Sequence, residues 1–87
     1  MNQFSFPLDA EGQAFCCDIA KDMMRLFLIP KDEAIGRINR EWRNVSILDR
    51  QHPLYHEDSD FWAKDIYYGH DSSWWIDEAR AVGQPYP

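Results

Sequence analysis

RLFLIPKDEAIG, residues 25–36, is where one apolar helical pattern stops and a second begins. Pro30 enforces the stop. Proline lacks an N–H, and the residue before it is pushed out of the α region. Asp32 and Glu33 then occupy a first helical turn, and Ala34, Ile35, Ile38 and Trp42 follow along one face, which predicts a second helix over residues 31–43. With Ile29 and Pro30 as the only connection, the two helices form an αα-hairpin or an angled pair. Gly36 costs such a helix about 1 kcal/mol relative to alanine, so either the loss is tolerated or a neighbouring helix packs closely there.

Upstream, Phe15, Ile19, Met23 and Leu26 recur at helical spacing with Cys16, Ala20 and Phe27 beside them, while Asp18, Lys21, Asp22 and Arg25 fall mainly on the other side. This predicts a helix from Ala10 to about Leu28, capped by Asp9. MNQFSFPL before it alternates Phe4, Phe6 and Leu8 with polar residues and reads as a short extended arm, too proline-broken for a central strand. Downstream, residues 45–57 lose periodicity around His52-Pro53. Asp58 or Ser59 can cap a third helix ending at Tyr68, with Phe61, Trp62, Ile66 and Tyr67 facing inward and Gly69 as its stop. Asp71, Ser72 or Ser73 can cap a fourth, Trp74 to Val82, ended by Gly83 and Pro85. The expected fold is therefore mainly α: a compact four-helix single domain over residues 1–87, with an N-terminal extended arm and an irregular 45–57 segment.

The chain has 87 residues, room for one domain. A chain this short buries only about 60–65% of its unfolded surface, so large side chains must fill its core. Four Trp, four Tyr and five Phe supply that volume. Trp42, Trp62 and one of Trp74 and Trp75 are the expected core rings; Tyr55, Tyr68 and the other tandem Trp are expected nearer the surface, because adjacent helical residues point about 100° apart. The formal charge is −6, and residues 51–87 hold seven acids against two bases. Such a balance repels phosphate backbones. Cys16 and Cys17 are adjacent and cannot bridge each other without strain, and beside an apolar stripe they read as buried small hydrophobes. No export signal or long apolar run is visible, so a cytoplasmic location is expected.

Four arrangements carry candidate chemistry. His52, His56, His70 and Asp71 are ligand types for zinc or another first-row metal, as in a metal-binding protein or hydrolase, but Pro53 within HPLYH opposes the i, i+4 geometry that joins two histidines. A cysteine nucleophile would need a neighbouring base, and none is visible. Arg37, Arg40 and Arg43 on the second helix, with Asn39 and Asn44, suit a helix-turn-helix that reads base edges, against which stands the acidic charge. The fourth is the stretch 61–75, FWAKDIYYGHDSSWW, where rings and acids interleave. Aromatic anchors supply interface energy and acids steer a basic partner.

The string IPKDEAIGRINREW, followed by LYHEDSDFWAKDIYYG and WW, resembles a family of small uncharacterised bacterial proteins over residues 29–75. The resemblance implies a stand-alone bacterial cytoplasmic domain and attaches no activity. The residues themselves favour a non-catalytic acidic module that binds a basic protein partner, such as a bacterial immunity protein or inhibitor, with no cofactor, membrane or nucleic acid. Its contact residues are expected to be Asp65, Asp71 and Asp77 for cations and Tyr68, Trp74 and Trp75 as anchors. The metal reading through His52, His56 and His70 is the alternative, and DNA binding through Arg37, Arg40 and Arg43 the second.

Overall fold

A computed structural model of the chain describes residues 3–44 and 53–87. Three α-helices form the body: α1 (Ala10–Phe27), α2 (Lys31–Trp42) and α3 (Ser59–Tyr68). Among the described residues there is no β-sheet, and no helix is long and apolar enough to cross a membrane.

Each helix starts where local chemistry dictates. Asp9 Oδ1 accepts the Gly12 N–H at 2.7 Å, and Asp58 Oδ1 accepts the Phe61 N–H at 2.9 Å, so both caps satisfy otherwise orphaned donors. Pro30 precedes α2 with no side-chain cap, and Asp32 Oδ1 instead accepts the Glu33 N–H. The three helices meet through Cys16, Ile19, Ala20 and Met23 of α1, Ala34 and Ile38 of α2, and Ala63 and Ile66 of α3. Four of these are small side chains, which lets helix axes approach closely while Ile19, Met23 and Ile38 fill the space between. The arm completes the core: Phe4 and Phe6 are buried, Phe6 meets Trp42 edge to face, and Asn39 of α2 holds the arm by accepting the Ser5 N–H and donating to the Gln3 carbonyl.

The fourth helix does not form. Residues 70–72 and 78–80 make single 3₁₀ turns, and Ser73 adopts a left-handed conformation (φ 54°) where an N-cap would be extended. The reason lies in burial. Of Trp74, Trp75, Ile76 and Val82 only Trp74 is inside, so a helix here would have no apolar stripe to pack, and a nine-residue helix is marginal without one.

The chain beyond Val82 becomes a strap across α2 and α3. Gln84 donates its backbone N–H to the Tyr67 carbonyl at 2.8 Å and its side-chain amide to the Tyr68 carbonyl at 2.9 Å, two carbonyls that α3 leaves unpaired at its end. Arg40 Nη1 donates to the Pro85 carbonyl at 2.9 Å. Tyr86 lies against Gly36, where any Cβ would overlap its phenol oxygen. The close neighbour that Gly36 accommodates is thus the C-terminal strap and not a helix.

Two expectations follow. Leu28 ends α1 in the left-handed region (φ 55°) and is 88% exposed, so its side chain adds strain and no burial. Left-handed geometry costs a residue with a Cβ about 1–2 kcal/mol, and glycine's greater unfolded entropy takes back about 0.5–1. Leu28→Gly should therefore raise the melting temperature by a few degrees in a thermal scan, about 4–8 °C per kcal/mol at this chain length; a lower value would mean that Leu28 makes a stabilising contact after all. Cys16 is fully buried, and burial followed by the neighbouring Cys17 pushes its thiol up to about 12, whereas Cys17 is half-buried. Native protein at about pH 8 should titrate one thiol with a disulfide reagent and the second only on denaturation.

Candidate acidic-aromatic interface

The corner after α3 is organised around a buried carboxylate. Gly69 ends the helix with φ 97°, a conformation that L side chains rarely adopt, and its N–H returns to the Asp65 carbonyl at 2.9 Å. The chain then doubles back so that Trp74 Nε1 donates to Asp65 Oδ1 at 3.1 Å, while His70 Nδ1 lies 3.3 and 3.4 Å from the two carboxylate oxygens. A carboxylate accepts, so the His70 ring proton that points here is on Nδ1. Asp65 is 5% exposed. An acid this far inside survives only when its lone pairs are occupied, and Trp74 and His70 occupy them.

Trp74 is clamped between Phe61, with ring centroids 5.5 Å apart, and Tyr68 at 6.1 Å, and Lys64 Nζ lies 5.9 Å from its ring centre. Lys64 in turn pairs with Glu78 at 3.1 Å, a hydrogen bond that holds its ammonium above the usual lysine range. Burial first, and Glu78 second, raises the Tyr68 phenol above its ordinary value. With Trp74 held inward, Trp75 is turned out: its ring meets Trp74 edge to face at 5.8 Å, lies 6.4 Å from His70, and is 53% exposed. Ile76 beside it is 77% exposed.

The expected contact residues divide by burial. Asp65, Tyr68 and Trp74 are buried and build the corner; Trp75, Asp71 and Asp77 lie at the surface, as does Ile76, which is outside the expected set. Asp77 pairs with Arg80 at 3.4 Å, and Asp71 makes no ion pair with the described residues. Ile76 could have been suspected from its place directly after a tandem Trp in which only one ring can be buried. Tyr55, expected near the surface, is half-buried against Phe15 with centroids 5.0 Å apart.

The alternatives gain little from the arrangement. His52 lies outside the described residues, His56 is exposed, His70 is turned to Asp65, and among the described residues no three His, Cys, Asp or Glu side chains converge as metal ligands would. On α2, Arg37 is 5% exposed and paired with Glu33 at 2.8 Å, Arg40 holds the strap and Asn39 holds the arm, which leaves Arg43 as the exposed arginine free of these duties. A helix whose polar groups are spent on its own fold is poorly equipped to read base edges. Comparison with family models, with curated proteins and with solved structures found no match.

The Asp65 anchor can be measured. Asp65→Ala leaves the buried Trp74 indole N–H without an acceptor and should cost about 2 kcal/mol in urea denaturation. Trp74→Phe should cost less, since the ring survives, and the double variant should cost clearly less than the sum of the two. Simple additivity would show that the indole and the carboxylate are not coupled.

Proposed function

We propose that this protein is a non-catalytic binding module whose contact is the Trp75–Ile76 knob and the acids around it, and whose partner is a basic protein surface. The observation that carries the reading is the pairing of two large apolar side chains, both more than half exposed, on a corner held in place from beneath by Asp65 and Trp74. An exposed tryptophan on a pre-organised backbone loses little freedom on binding, which is what an anchor residue requires. Asp71 and Asp77 supply outward negative charge beside it, and the chain's formal charge of −6 adds a long-range pull on a cationic partner.

In its most concrete form the partner is a basic toxin or nuclease, and the module acts as a bacterial immunity protein or inhibitor by covering the partner's cationic surface. Nothing in the corner needs a nucleophile. The one deeply buried thiol is held protonated, and the buried carboxylate is occupied by structural donors.

The test is a capture from source cells by the wild-type chain and by a Trp75→Ala/Ile76→Ser variant, followed by titration of the purified partner. Both substitutions lie at the surface and should leave stability within about 0.5 kcal/mol. A basic protein should be retained by the wild type, lost by the variant with about a 30-fold or greater weakening, and bound more slowly as salt rises. A partner bound equally well by both chains would place the interface elsewhere.

A further inference from the structure

We propose that the groove between α2 and α3 is a recognition site for an extended proline-aromatic peptide segment, filled at rest by the chain's own strap and open to a segment of the same chemistry from another protein. The strap is held the way a bound peptide is held. Its backbone and side-chain amides at Gln84 engage the Tyr67 and Tyr68 carbonyls, its Pro85 carbonyl accepts from Arg40, and its aromatic ring at Tyr86 enters a cradle that exists because residue 36 is glycine. Two guanidinium carbons, of Arg37 and Arg40, each lie 5.4 Å from the Tyr86 ring centre, and Arg37 also lies 4.7 Å from the ring of Tyr67. Backbone hydrogen bonds, a proline and one seated ring are elements by which grooves read extended proline-containing segments, and here the seat of the ring is made by Gly36 and two guanidiniums.

A second observation points to a ligand other than the strap. Arg37 is buried and its Nε and Nη2 are satisfied by Glu33, but among the described residues its buried Nη1 has no hydrogen-bond partner. A purely structural strap would be expected to complete so costly a donor, whereas a segment that brings an oxygen acceptor next to its aromatic residue would do so and displace the strap. Arg80 and Val82 leading into the strap are exposed, and its hold is made by Gln84 on the Tyr67 and Tyr68 carbonyls, Arg40 on Pro85 and Tyr86 over Gly36, so an incoming segment of the same chemistry exchanges these contacts for equivalent ones. At rest it competes from within the chain and lowers the apparent affinity for any segment in trans by the fraction of open groove.

The test uses the full chain and a synthetic peptide of residues 80–87, RAVGQPYP, labelled at its N-terminus and followed by fluorescence anisotropy. Tyr86→Ala in the protein weakens the resident strap, and this variant should bind the peptide saturably and at least about tenfold more tightly than the wild type. The peptide with alanine in place of its tyrosine should not bind, and adding Gly36→Leu to the opened protein should abolish binding by filling the cradle. Circular dichroism checks that each protein is folded. Should Tyr86→Ala unfold the chain, Gln84→Ala opens the strap more gently and carries the same expectation. A folded, opened chain that shows no saturable binding, or binds both peptides alike, would overturn the proposal and leave the strap as a structural element alone.

Discussion

The last turn of α3 is where the second half of the molecule is fastened. A helix leaves its final carbonyls without intrahelical partners, and something must satisfy them. Here Gln84 takes two, Gly69 takes a third, and from the same turn the Asp65 carboxylate reaches inward to Trp74 and His70. Both the corner at residues 70–77 and the strap at 83–87 are therefore positioned by one turn of helix, although neither has regular structure of its own beyond a 3₁₀ turn. That turn is supported from behind by rings: Phe27 of α1 stacks on Tyr67 with centroids 3.7 Å apart and meets Tyr68 edge to face. The hold of α1 on α3 is thus transmitted to segments that α1 need not touch.

The same dependence explains how the cations are used. Arg25 bridges Asp22 of α1 and Asp60 of α3, Arg37 neutralises Glu33, Lys64 answers Glu78, and Arg80 answers Asp77. Most of these pairs are partly exposed, and such pairs contribute little to stability. Their larger consequence is for the field outside, because acids paired this way are muted as seen by a partner. Asp65 is removed from the surface altogether. The outward charge near Trp75 therefore rests more on Asp71 than a count of carboxylates in the sequence suggests.

Local pattern was a good guide where local chemistry decides. The proline stop at residue 30, the Asp9 and Asp58 caps, the Gly69 terminus and the apolar stripes of α1 and α2 are legible at short range and the structure reproduces them, whereas on α3 only Ile66 of the expected Phe61, Trp62, Ile66 and Tyr67 is buried, together with Ala63, Asp65 and Tyr68. The buried arm was also legible, since Phe4 and Phe6 alternate with polar residues. What was not legible depends on groups far apart in sequence. The 74–82 segment has acceptable caps and helix formers, yet the Asp65 bond to Trp74 and the demand of α3 for Gln84 pull it into turns. Gly36 announces a close approach but not by whom, because Tyr86 is fifty positions away. An aspartate in an acidic stretch looks solvated, and only the spacing of nine residues to a tryptophan donor distinguishes Asp65 from its neighbours.

The opposite fates of Trp74 and Trp75 are one event seen from two sides. An indole N–H is a donor with no acceptor capacity, so a buried tryptophan seeks an oxygen, and the nearest one provided by the core is Asp65. With Trp74 set between Phe61 and Tyr68, the turn through Ser73 carries the next side chain outward. Trp75 is outside because Trp74 is in. Exposure of a large ring normally counts against a small protein's solubility and stability, and here it is the by-product of the contact that orders the corner. The Asp65–Trp74 pair thus orders the backbone from which the exposed Trp75 ring projects.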